Sequence, residues 1–84
     1  MTDILYFAWL REQVGTAEES LAIPADVGDV TALMGWLAQR SAGHARAFAR
    51  PEIVRCAIDQ EFVGAQAPIA AAREIAFFPP VTGG

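Results

Sequence analysis

The sequence predicts an α+β domain: a mixed five-stranded sheet with one main helix packed on one face. Three observations predict it. Residues near the start alternate between two apolar sets, as a strand does. A single stretch in the middle, Val30, Leu33, Met34 and Leu37, repeats at helical spacing. Near the end, Ile75-Ala76-Phe77-Phe78 reads as a short buried strand, stopped by Pro79-Pro80, which cannot donate to a sheet ladder.

Size and composition bound the rest. A chain of 84 residues fits one small domain with a modest core. Its apolar content of 54% is too high for a disordered chain. No apolar run approaches the ~18 residues of a membrane span. Met1-Thr2-Asp3 does not open a signal peptide, and Cys56 is the single cysteine, so a reducing cytoplasm is the expected compartment. The net charge is −4, and the cations Arg11, Arg40, Arg46, Arg50, Arg55 and Arg73 are scattered. No basic stripe exists to displace counterions, so neither nucleic acid nor membrane is an expected partner. The chain contains no lysine.

The first strand is expected over residues 3–10. Ile4, Tyr6, Ala8 and Leu10 share one face; Asp3, Leu5, Phe7 and Trp9 share the other. Asp3 marks the second set as the outer face, although it is unusually apolar. Residues 10–15 read as one helical turn ended by Gly15 in a left-handed conformation. Glu18 to Ile23 form a second strand, hairpin-paired with the first and closed by Pro24.

Asp29 is the expected N-cap of a helix over about residues 30–42, with Gly43 as its C′ residue. Residues 44–52 read equally as a short helix or a loop ended by Pro51. Ile53 to Ile58 form the next strand, with Val54, Cys56 and Ile58 on one face. Asp59-Gln60-Glu61 is a polar turn, Phe62-Val63 a very short returning strand, and 64–73 an alanine-rich connection. The last strand covers 74–78.

The order β-β-α-β-β-β with one good helix is the β-grasp pattern of ubiquitin-like domains. In it the first and last strands lie side by side and parallel. The domain is then 1–78, and 79–84 is an extended, flexible Gly-Gly tail. Parity places Ile75 and Phe77 toward the helix and Glu74, Ala76 and Phe78 outward. Leu5, Phe7 and Phe78 then make an outer apolar patch, which is either a partner surface or covered by 44–52 or 64–73; the rarity of large exposed patches favours a partner surface.

No nucleophile–base pair, metal cluster or phosphate loop is visible in the sequence. Cys56 on an apolar strand reads as a buried, inert thiol. His44 has no ligand partner in spacing, and Asp59 and Glu61 are turn residues. The candidate reactive group is the Gly84 carboxylate. Gly83 and Gly84 have no Cβ, so the backbone there threads narrow channels.

Two segments resemble the small, sulfur-carrier subunit family of molybdopterin synthases. They are Leu5-Tyr6-Phe7-Ala8 through Leu10-Arg11-Glu12-Gln13-Val14-Gly15, and Ile75-Ala76-Phe77-Phe78-Pro79-Pro80-Val81-Thr82-Gly83-Gly84. Ala57-Ile58-Asp59-Gln60 is also similar, whereas 36–52 and 64–73 depart. The resemblance implies a ubiquitin-activating-type adenylyltransferase that uses ATP on the terminal carboxylate, and a sulfur donor protein that converts the adenylate to a thiocarboxylate. It further implies a large synthase subunit, in a two-plus-two heterotetramer, that receives the tail. Sulfur would pass there to cyclic pyranopterin monophosphate. No directly bound cofactor or metal is expected. Gly84 would be the carrier and Gly83 would give access. Phe7, Arg11, Phe78, Pro79, Pro80, Val81 and Thr82 would meet partners. Arg11 alone also reads as a solvated charge beside Glu12. The alternatives are a carrier for another pathway, of the thiamine type, a ubiquitin-like modifier, and a plain binding module.

Overall fold

Two parallel neighbours, the first and last strands, form the spine of the fold. In this computed structural model, which describes residues 1–80, β1 (Thr2–Tyr6) pairs in parallel with β5 (Glu74–Phe78), Ile4 opposite Ile75 and Tyr6 opposite Phe77. β2 (Glu18–Leu21) flanks β1 antiparallel. On the other side β3 (Arg55–Ile58) pairs antiparallel with β5, and β4 (Glu61–Val63) with β3. The strand order is β2-β1-β5-β3-β4, a mixed sheet of the expected β-grasp kind.

The first strand is shorter than the 3–10 expected. Phe7 still donates its N–H to Phe77 O at 3.1 Å, but Ala8 turns left-handed (φ 54°) and Trp9–Val14 form α1. Leu10-Arg11-Glu12-Gln13 are good helix formers, and local preference overtakes the alternation once sheet pairing ends. Leu10 is buried as expected, but from a helix; Trp9 packs against the core instead of lying on the outer sheet face. Gly15 ends α1 at φ 96°, donating its N–H to Arg11 O.

α2 (Val30–Ala38) starts where expected: the Asp29 carboxylate accepts the Ala32 N–H at 2.8 Å. Its stripe Val30, Leu33, Met34 and Leu37 is buried. It ends short of residue 42, however, and Gly43 is not its C′ residue. A new helix, α3 (Ala42–Ala47), starts there, capped by Ser41, whose Oγ accepts the His44 N–H at 3.1 Å. Gly43 is required for another reason: a Cβ there would run into the Gln13 carbonyl of α1. Pro51–Ile53 form a 3-10 turn, which is why β3 begins at Arg55 and not at Ile53.

Asp59 and Gln60 both take positive φ (48° and 73°), the geometry of a tight two-residue hairpin turn. The Asp59 carboxylate accepts the N–H groups of Arg73 (3.1 Å) and Glu74 (3.0 Å), which ties that turn to the start of β5. The core lies between sheet and helices, centred on Ile4, Tyr6, Leu33, Leu37, Ile75 and Phe77.

Candidate functional site

Register decides which side chains share the sheet face away from the helices. Phe78 ends β5 opposite Arg55, and Phe62 on the edge strand β4 lies opposite Ala57. Ala57 is in turn opposite Ala76, and Ala76 opposite Leu5. Ala57 and Ala76 are buried yet outside the core cluster, so they form the floor of this face.

Three aromatic rings stand beside that floor. Phe7 and Phe78 stack with centroids 4.5 Å apart and planes 8° from parallel, and Phe62 tilts against Phe78 at 5.4 Å. Phe7 is 40% and Phe62 71% exposed. Neither 44–52 nor 64–73 covers them. Ala47 and Phe48 join the core, Phe48 edge-on to Phe77 at 5.0 Å, and Ile69 is likewise a core residue. Among the described residues nothing covers this patch, which removes the alternative that 44–52 or 64–73 buries it. Phe62 is the member that sequence reading missed. The signal was present: the two-residue turn Asp59-Gln60 fixes the parity that puts Phe62 on the outer face with Ala57.

Pro79 and Pro80 leave this face at the end of β5, half-buried. Pro80 borders a groove with Val30, Met34, Val54 and Val63. Arg11 is exposed on α1, the helix that follows Phe7, and takes part in no ion pair among the described residues. Val81, Thr82, Gly83 and Gly84 lie outside the described residues.

A polar cluster sits on the helix side. Glu19 Oε2 accepts the Tyr6 hydroxyl at 2.7 Å and lies 2.8 Å from His44 Nε2; His44 Nδ1 lies 2.7 Å from Ser41 Oγ. A Glu19 carboxylate requires the proton on Nε2, so in neutral His44 the Ser41 hydroxyl donates to Nδ1. Burial works against the charge on Glu19, but the hydrogen bonds from His44 and Tyr6 outweigh it and hold the carboxyl below its usual range. Burial, aided by the Glu19 bond, drives the Tyr6 hydroxyl far above its ordinary value. The cluster ties α3 to β2 and β1, and both ring nitrogens of His44 are used. Among the described residues no group of three or more His, Cys, Asp or Glu could hold a metal ion. Cys56 is buried, and burial pushes its thiol up to about 12.

These features describe a scaffold with an exposed aromatic face where β5 gives way to Pro79-Pro80. Comparison with known proteins gives a concordant picture. The ThiS family matches residues 4–84. The molybdopterin synthase sulfur carrier subunit of Escherichia coli K12 is 38% identical over 84 residues, covering all of both chains. That of Haemophilus influenzae is 33% identical, again over all of both chains. Among solved structures, SAMP1 of Haloferax volcanii superposes with a TM-score of 0.69 at 22% identity, over 99% of this chain and 98% of that one. A Pyrococcus furiosus protein provisionally named molybdopterin converting factor, subunit 1, gives 0.67 at 18% identity, over 95% and 97%. At those identities the two structures bear on the fold alone. No described helix is long and apolar enough to cross a membrane.

Proposed function

The chain belongs to the ThiS family, and on that premise we propose that it is the sulfur carrier of a molybdopterin synthase, with the Gly84 carboxylate as the carrying group. The observation that carries this reading is the full-length match to two molybdopterin synthase sulfur carrier subunits. The aromatic face at the root of Pro79-Pro80 supports it, because a carrier needs a docking surface close to its reactive tip.

The chemistry follows from what a carboxylate lacks. It is a poor electrophile at neutral pH and holds no transferable sulfur. A ubiquitin-activating-type adenylyltransferase spends ATP to attach AMP to it, creating a good leaving group. Sulfide equivalents from a sulfur donor protein then attack the acyl carbon, AMP leaves with the electron pair, and a thiocarboxylate remains. In the large synthase subunit that sulfur passes to cyclic pyranopterin monophosphate. Covalent catalysis divides one hard step into easier ones, and the partners supply the acids and bases.

The domain's own part is mechanical and recognitive. Phe7, Phe62 and Phe78 dock, Arg11 offers a charge on the helix that follows Phe7, and Pro79-Pro80 favours an extended direction away from the sheet. Six extended residues span at most ~20 Å, enough to cross from a surface to a buried site. Docking converts the tail's reaction into an intramolecular one at high effective concentration. The assembly is a heterotetramer of two carriers and two large subunits, working in the cytoplasm.

The test is an intact and fragment mass spectrum after incubation with the host adenylyltransferase, ATP and a sulfur source. Replacement of one oxygen by sulfur on the fragment holding Gly84 is the expected result. Fragmentation separates it from oxidation of Met1 or Met34. An unmodified terminus beside an active adenylyltransferase would overturn the reading in favour of a binding module, and an amide to a target lysine would favour a modifier.

A further inference from the structure

The chain holds few strong side-chain nucleophiles, and each one is withdrawn. There is no lysine, and there is one cysteine, one tyrosine and one histidine. Cys56 is 4%, Tyr6 2% and His44 7% exposed. The Tyr6 hydroxyl is spent on Glu19, and both His44 nitrogens are occupied by Glu19 and Ser41. Cys56 stands opposite Phe77 in the sheet and is a core residue, so almost none of its thiol is thiolate at neutral pH. Arginine's guanidinium group offers only N–H donors and no free lone pair, so it does not attack carbonyl carbon. The amine that remains is the α-amine of Met1.

We propose that this withdrawal makes the domain inert toward its own activated terminus, so that the acyl adenylate meets no competing side-chain acceptor on the carrier and is left for the sulfur donor; the Met1 amine precedes the Asp3–Glu74 pair, at the end of the sheet away from the tail. The inference rests on the sulfur-carrier reading. The side reaction avoided is aminolysis. A neutral lysine amine attacks the acyl carbon of Gly84 and a C–N bond forms. The bond from that carbon to the AMP oxygen breaks, AMP leaves with the electron pair, and the extra ammonium proton passes to water. The product is an internal amide, a dead carrier.

Position matters as well as residue type. Arg55 is exposed and opposite Phe78 in register, at the root of the tail. The four residues after Pro80 reach at most ~14 Å, and a lysine side chain adds roughly 6 Å. An amine at position 55 would therefore lie within range, and tethering would raise its effective concentration to the millimolar scale or above. Arg73, before β5, lies roughly 23 Å back along an extended chain and would be out of range.

The experiment compares the wild type, Arg55→Lys and Arg73→Lys with the host adenylyltransferase and ATP, with no sulfur source. Pyrophosphate release measures activation in each. After hydroxylamine treatment, which removes adenylate and thioester, intact mass reports the internal amide as loss of one water. Normalised to pyrophosphate, Arg55→Lys should show at least tenfold more of this species than wild type, mapped to positions 55 and 84. Arg73→Lys should match wild type. Equal amide in Arg55→Lys and wild type, at equal pyrophosphate release, would overturn the proposal, because protection would then come from the adenylyltransferase. No pyrophosphate from wild type, with the enzyme active on another carrier, would overturn the carrier reading itself and this proposal with it. Native wild type treated with an amine-acylating ester and iodoacetamide should be labelled at Met1 alone; rapid alkylation of Cys56 would also count against the proposal.

Discussion

Replacing Phe62 by alanine separates docking from folding, because this ring is 71% exposed and sits on an edge strand. Removing an exposed side chain outside the core changes stability by less than about 0.5 kcal/mol. Its one described aromatic neighbour is Phe78, at 5.4 Å, and that ring keeps its stacking on Phe7. Binding is another matter. Full burial of a phenylalanine is worth about 1.5–3 kcal/mol. Covering the exposed 71% therefore contributes about 1–2 kcal/mol. The dissociation constant for the large synthase subunit should rise about 5- to 30-fold. Isothermal titration calorimetry gives that constant, and urea unfolding of the free carrier gives stability. A dissociation constant within twofold of wild type would refute Phe62 as a docking residue. A drop of 2 kcal/mol in stability would refute the assignment of its side chain to the outer face.

Other expectations follow from other parts of the molecule. Phe78→Asp places a charge against Phe7 at the root of the tail and should weaken binding to the large subunit at least tenfold by calorimetry; unchanged affinity would contradict the outward parity of β5. Gly43→Ala should destabilise the fold by about 1–3 kcal/mol in urea unfolding, as overpacking does, because the new methyl meets the Gln13 carbonyl; an unchanged midpoint would mean that α1 and α3 are farther apart. Glu19 is held below its ordinary value of 4.5, so its contribution is complete above that value and fades as pH falls through the lower folded value. Glu19→Gln should accordingly flatten the acid limb of a stability–pH curve, and an identical limb would rule the group out. Cys56 is raised from 9.0 to about 12, so its contribution is complete below pH 9 and is lost as pH rises through the folded value. Cys56→Val should remove part of the alkaline decline expected in unfolding midpoints between pH 9 and about 12, and an equal decline in the variant would exclude the thiol as its source.

Much of this fold was legible because it rests on local periodicity. β5 was read over its observed span, the N-cap Asp29 and the stripe on α2 were read from spacing, and the parallel pairing of β1 and β5 followed from element order. What sequence reading missed was set by contacts between distant residues. The helical turn near Leu10 was read from local preference, but not that the strand gives way as early as Tyr6. Gly43 reads as a helix stop when seen alone, and only its contact with Gln13, thirty positions earlier, shows why a glycine stands inside α3. The link from His44 to Glu19 joins α3 to β2 and was invisible for the same reason. Of the candidate site, Phe7 and Phe78 were found by counting faces. Phe62 was not, because its side depends on the length of a turn.

The placement of β5 has a mechanical consequence. It is the central strand, bonded to β1 on one side and to β3 on the other. A pull on the chain beyond Pro80 loads both ladders along their length, so the bonds must fail together in shear and cannot peel one at a time. A terminus rooted in an edge strand such as β4 would load one ladder instead of two. Any machine that grips this chain by its tip, whether a partner extracting the tail or an unfoldase threading it, therefore pulls against the most resistant direction of the molecule.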